Sequence, residues 1–160
     1  MTRTRRVGIL LFPDVEVLDF AGPYEVFTTA SRIALRGAPE APVPFEVCTL
    51  AQAPGPCRAR AGLQALPDHG LVEHPPLHLL IVPGGVTQAE ERQRATLDWI
   101  ARTAPACEIV ASVCTGVFLL AAAGVLPDGT EVTTHWEDLD DLRRASPALK
   151  VRNQLRWMDT

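Results

Sequence analysis

The stretch EIVASVCTGVFLLA, residues 108–121, decides how this 160-residue chain folds. Its first part, residues 108–113, is a short apolar run, the pattern of a strand covered on both faces. Its second part, residues 115–123 with the alanines that follow, is apolar all round, which describes a buried helix. Only Cys114 separates the two. A strand that turns this abruptly into a helix exposes one side chain at the C-terminal edge of a parallel sheet. That is the geometry of a nucleophile elbow, although the literal G-x-S-x-G pattern is absent. The start of the helix favours negative charge, hence thiolate, on Cys114. The N–H groups just after it, at Thr115 and Gly116, point toward an incoming oxyanion. The plain alternative is a small buried cysteine packed as a hydrophobe.

The same alternation of strand and helix extends in both directions. Residues 7–11, 45–50 and 77–82 read as strands, the first and last of them buried. Residues 24–35 read as a helix entered through Gly22-Pro23, because proline is tolerated in a first helical turn. Residues 89–103 form an amphipathic helix with Leu97, Ile100 and Ala101 inward. Beyond the elbow come a short strand at 132–134, a helix at 137–145 and a last strand at 151–157. Residues 51–74 keep no period and read as loops or short strands, for instance around 63–66. The sum is one α/β domain over residues 1–160, a three-layer sandwich with a mainly parallel sheet and helices on both faces. No helix follows the last strand. Leu149, Val151, Leu155 and Trp157 then lack a cover, which predicts a homodimer.

Composition narrows the functional classes. Hydrophobic residues make up 47% of the chain, enough for a real core. Nineteen acidic residues face 15 basic ones, and no long basic run exists. No nucleic acid is expected to bind through this chain alone. The longest apolar stretch, residues 117–126, is broken by Gly124 and falls far short of the roughly 20 residues a membrane span needs. Arg3, Arg5 and Arg6 precede an apolar run too short for a signal peptide, with no cleavage site after it. A cytoplasmic protein is the expectation. The four cysteines, Cys48, Cys57, Cys107 and Cys114, form no C-x-x-C pair, so reduced thiols are expected. His69, His74 and His78 have no metal-ligand spacing, and no metal site is predicted.

Three further segments reach the same sheet edge as Cys114. Pro83-Gly84-Gly85 ends the strand at 77–82. Its glycines make either an ordinary turn or a second oxyanion donor beside Cys114. Residues 12–23, FPDVEVLDFAGP, follow the first strand and offer Asp14, Glu16 and Asp19. Asp19 sits between Leu18 and Phe20. It is either a helix cap or a partly desolvated acid, on a strand adjacent to that of Cys114 and able to share a proton with the thiol. His135, in Thr133-Thr134-His135-Trp136, is open to a role as base, donor or orienter, against the plainer role of a structural histidine.

Taken together, LLFPDVEVLDFAGPYEVF (10–27), LLIVPGG (79–85), ASVCTGVFLLAAAGVL (111–126) and TTHW (133–136) resemble the ThiJ/PfpI superfamily, in the family's order. The resemblance implies a flavodoxin-like fold related to class I glutamine amidotransferases. Within it, the chain is similar to isocyanide (isonitrile) hydratases and to the ligand-sensing N-terminal domains of AraC-type regulators. Carried over, Cys114 matches the nucleophile, Asp19 the acid and Thr115 the residue after the nucleophile. Gly84 and Gly85 match the substrate-loop glycines, and His135 matches a histidine near the cysteine. Thr115 stands where the peptidase branch has histidine, which argues against a peptidase triad. Asp19 stands where the glyoxalase branch presents glutamate. The family's usual C-terminal closing segment and the regulators' DNA-binding domain have no counterpart in these 160 residues. The expected activity is a cofactor-free, cysteine-dependent hydratase or lyase acting on a small electrophile. The alternative is a non-enzymatic sensor of a small ligand.

Overall fold

The computed structural model describes residues 3–160. Its centre is β1 (Arg5–Leu11), where Val7, Ile9, Leu10 and Leu11 are essentially inaccessible to solvent. Consecutive residues point to opposite faces of a strand, so this unbroken burial means that both faces of the sheet are covered. β1 pairs in parallel with β2 (Phe45–Ala51) on one side and β6 (Leu79–Val82) on the other. β6 in turn pairs in parallel with β7 (Ile109–Ser112), and β2 with the two-residue β5 (His69–Gly70). The resulting order is β5-β2-β1-β6-β7. With helices on both faces, the fold is a flavodoxin-like three-layer α/β sandwich. Between β2 and β5, the irregular stretch carries a small antiparallel pair, β3 (Cys57–Arg58) and β4 (Gln64–Ala65).

Helix α1 (Val17–Gly37) packs on β1 and β2. It begins seven residues before the expected residue 24, and Pro23 lies inside it. Pro23 is the seventh helical residue, past the donors that lack a partner, so its missing N–H forgoes the backbone bond to the Asp19 carbonyl four residues back. The earlier start places Asp19 in the first helical turn rather than in a loop. The expected helix 89–103 is divided. Residues 90–92 form a single 3₁₀ turn, and α2 (Arg94–Thr103) follows with Leu97, Trp99 and Ile100 buried.

Helix α3 (Gly116–Ala122) follows the elbow with Val117, Leu119 and Leu120 buried. The last part of the chain departs from expectation. β8 (Glu131–Val132) and β9 (Lys150–Val151) pair with each other in parallel, outside the main sheet, with α4 (Leu139–Ala145) between them. The predicted strand at 151–157 thus stops at Val151, and residues 152–160 are irregular. Val132, Leu142, Leu149 and Val151 form a small second cluster with Val117 and Phe118. Leu155 and Trp157 remain exposed, as does Ile109 on the edge strand β7.

Candidate active site

Three loops leave the C-terminal ends of β1, β6 and β7 and meet. The first leads into α1 and carries Asp19. The second is Pro83-Gly84-Gly85, and the third is Cys114 itself. Cys114 has φ of +54°, a left-handed conformation uncommon for a residue with a side chain. Its backbone strain is held by the neighbours: Val113 N–H donates to the Val82 carbonyl at 3.0 Å, and Gly116 N–H to the Val113 carbonyl at 2.9 Å. From the far side, the Thr134 hydroxyl donates to the Cys114 carbonyl at 3.1 Å. Gly116 is required by contact. A Cβ there would collide with the Val82 carbonyl oxygen.

Asp19 and Cys114 were expected on adjacent strands. They are not: β6 lies between β1 and β7. The two side chains still reach each other, because the intervening loop has no side chain at Gly84. A Cβ on Gly84 would lie 2.9 Å from Asp19 Oδ2 and 2.6 Å from both Thr115 N and Thr115 Oγ1. Across this gap the Asp19 carboxyl and the Cys114 thiol share one cleft, and each shifts the other's titration. Asp19 does not cap its own helix. Its Oδ2 accepts from Gly84 N–H at 3.2 Å. Gly85 N–H donates to Thr115 Oγ1 at 2.9 Å, and that hydroxyl donates to the Gly85 carbonyl at 3.0 Å. The two glycine amides expected to face an oxyanion are therefore engaged by Asp19 and Thr115, and they hold these residues in place. The amide of Thr115 acts on the Cys114 side chain in favour of its charged form.

Burial is the main influence on both titrating groups. It pushes the Asp19 carboxyl up against the opposing pull of the Gly84 amide, the Cys114 thiol and His135. The Cys114 thiol is also pushed up, first by burial and then by the Asp19 charge, with the Thr115 amide pulling the other way. The expected thiolate stabilisation by the start of α3 is outweighed. Burial also raises the other three thiols, Cys48 to about 11. Acidity therefore does not single out Cys114; its place beside Asp19 does. Each of the two charges raises or lowers the other's titration, so the acid and the thiol act as a coupled pair.

The pair opens into a cleft of about 730 Å³ lined also by Leu18, Arg60, Phe118 and His135. A larger depression of about 920 Å³ lies beside Cys107 and Val110, away from Cys114. His135 is on the cleft wall. Its Nδ1 lies 3.4 Å from Asp138 Oδ2 and 3.8 Å from Glu137 Oε2, so its carboxylate contacts are these two rather than Asp19. Asp14 faces Arg58 outside the cleft. Among the described residues, no group of three or more His, Cys, Asp or Glu side chains is placed to hold a metal, and no helix is long and apolar enough to cross a membrane. Sequence reasoning missed Thr134 and Arg60. Thr134 lay in the quoted TTHW segment without a reason to choose it, and Arg60 comes from the stretch without period.

The DJ-1/PfpI family profile matches residues 5–156. An isonitrile hydratase of Pseudomonas putida is 35% identical over 153 residues, 94% of this chain and 60% of that protein. The HTH-type transcriptional regulator GbdR of Pseudomonas aeruginosa is 28% identical over 153 residues, 96% of this chain and 40% of the regulator. The chain thus spans less than two thirds of the length of either relative. A crystal structure of a ThiJ/PfpI family protein from Pseudomonas syringae superposes with a TM-score of 0.82 at 25% identity, covering 99% of this chain and 60% of that one. With the elbow cysteine, the facing acid and the shared fold all in place, the chain belongs to the DJ-1/PfpI family.

Proposed function

We propose that this protein is a cysteine-dependent hydratase acting on a small electrophile such as an isocyanide. The observation that carries the reading is the Asp19–Cys114 pair at the floor of the cleft. The similarity to an isonitrile hydratase over nearly the whole chain supports it. Hydration of R–N≡C to R–NH–CHO needs a nucleophile, a proton source and one water. With the shared proton on Asp19, the Cys114 thiolate attacks the terminal carbon. That carbon takes the proton from Asp19, giving a thioimidate, R–N=CH–S–Cys114. Asp19, now a carboxylate, accepts a proton from water as the oxygen adds to the same carbon. Asp19 passes that proton to the nitrogen; the C–S bond then breaks as the C=O forms, the hydroxyl proton returns to Asp19, and the formamide leaves with the Cys114 thiolate restored. The Thr115 amide beside the sulfur steadies its charge. No metal or organic cofactor enters this scheme. Free cysteines fit a cytoplasmic setting, and exposed Leu155 and Trp157 fit a homodimer.

The test is to incubate the purified protein with an aryl isocyanide and follow the N-aryl formamide by chromatography. Product that depends on Cys114 supports the reading. No product above the buffer blank, from folded protein, overturns it. The second reading is a ligand-sensing domain. It is favoured by the relation to a transcriptional regulator over 96% of the chain. It expects saturable binding of a small molecule in the Cys114 cleft without turnover, measurable by calorimetry.

A further inference from the structure

We propose that the Cys114 cleft selects substrates and ligands that carry a positive charge, an ammonium group beside the reacting or recognised centre, and turns away carboxylates and phosphates. The proposal rests on the reading of this cleft as the functional site. The cavity and the Asp19–Cys114 pair define that site, and the charge of its walls decides what enters.

Besides Asp19, the lining of the cleft holds five carboxylates from three separate segments. Glu16 comes from the entrance to α1, and Glu91 from the turn before α2. Glu137 and Asp138 come from the turn before α4, and Asp141 from α4 itself. Against them stands a single guanidinium in the lining, Arg60, and it lies 3.3 Å from Glu16. That pair is locally neutral, so Arg60 offers no open site for an anion. Asp141 is paired with Arg144, which lies outside the lining. His135 gives no free cation either, since its Nδ1 faces Asp138 and Glu137.

Glu91, Glu137 and Asp138 have no guanidinium or ammonium partner among the described residues. The side-chain donor to Glu91 is the Thr87 hydroxyl, at 2.7 Å. Glu91, which no basic side chain faces among the described residues, and Glu137 and Asp138, two carboxylates against the one His135 ring, leave net negative potential focused into the concave site, and the protein walls screen it less than open water does. The field reaches the reacting atom: the Asp138 charge is one of those that act on the Cys114 thiol. A cation entering the cleft is drawn toward the thiol, and an anion of the same size is repelled. Leu18 and Phe118 supply the apolar surface on which the remainder of such a molecule rests.

Three methanethiosulfonate reagents of similar size test this: 2-(trimethylammonium)ethyl, neutral methyl, and 2-sulfonatoethyl. In each case the thiolate attacks the sulfenyl sulfur, an S–S bond forms and methanesulfinate leaves. Labelling at Cys114 is followed by mass spectrometry, and each rate is divided by that of free 2-mercaptoethanol. The cationic reagent is expected to exceed the anionic one by roughly tenfold or more at low salt. The ratio should shrink as ionic strength rises, and shrink in the Glu91→Gln/Glu137→Gln variant. Equal normalised rates, with Cys114 open to the neutral reagent, overturn the charge proposal and leave the active-site reading intact. A folded protein in which even the neutral reagent fails to reach Cys114 overturns the active-site reading, and the charge proposal with it.

Discussion

Asp19 and Cys114 line one cleft and act on each other's charge although they leave the sheet from β1 and β7, two strands that do not touch. The distance is closed by an absence: Gly84, at the end of the intervening β6, has no side chain to stand between them. The sheet, the glycine and the early start of α1 act together.

One consequence concerns the thiol. Burial first and the Asp19 charge second push the Cys114 pKa up, while the Thr115 amide pulls it down. Asp19→Asn removes the charge and leaves the amide. The pH profile of Cys114 alkylation by iodoacetamide should then move to lower pH, with a faster rate at neutral pH. An unmoved profile would show that the two groups do not share a proton.

Thr115 is the second element of the arrangement. Its hydroxyl both accepts from and donates to Gly85, and it is buried. Thr115→Val leaves a backbone N–H and a carbonyl without that partner, at a cost of about 1–3 kcal/mol. Urea denaturation should show that loss. Thr115→Ser keeps the hydroxyl and should recover most of it. Equal destabilisation by both variants would assign the effect to packing of the Thr methyl rather than to the hydrogen bonds.

The parallel sheet and the elbow were legible because they rest on short apolar runs interrupted at one residue, Cys114. Burial on two faces leaves that pattern in any sequence. The start of α1 was not legible, since Gly22-Pro23 reads as a helix entrance and sits instead inside a helix that begins at Val17. Local propensity yielded there to the packing of Phe20 into the core. The sequence brings Asp19, Gly84, Gly85, Cys114 and Thr115 to one sheet edge, but it does not tell what each backbone group there is bonded to. A reading along the chain cannot tell whether a glycine N–H faces a substrate or Asp19. That depends on which loops the strand order brings together. The charge of the cleft was equally hidden, because its carboxylates come from separate segments whose meeting is a matter of topology.

A different buried acid sets a pH effect on stability. Glu90 is only 5% exposed, and the Thr96 hydroxyl donates to it. Burial pushes its carboxyl up, against the pull of Thr96. The folded state therefore holds this proton more tightly than the unfolded chain does. Stability is greatest with Glu90 protonated and falls as pH rises from the ordinary glutamate value through the raised folded one. Glu90→Gln keeps an acceptor for Thr96 and cannot ionise. The variant should be more stable than the parent at pH 7, and the difference should vanish toward pH 4. Thermal melts at the two pH values decide it. A variant less stable than the parent at pH 7 would mean that the Glu90 charge is compensated within the fold.

The last expectation separates reactivity from catalysis at the Asp19–Cys114 pair. In the hydration scheme, Cys114→Ala removes the carbon–sulfur intermediate and should abolish formamide production. No other thiol sits at the elbow. Cys114→Ser should be nearly as damaging, because a hydroxyl does not ionise near neutral pH. Asp19→Asn is the informative variant. It frees the thiol from the carboxylate charge and should speed alkylation, yet it removes the group that protonates the carbon and activates water. General acid–base groups contribute roughly 10²- to 10⁴-fold, so turnover should fall by that order while alkylation rises. The two assays run on the same protein, with circular dichroism as the check on folding. If turnover and alkylation instead rise together, Asp19 restrains the thiol and takes no part in proton transfer. If both fall together, its role is to hold the elbow, through Gly84, in the geometry that exposes Cys114.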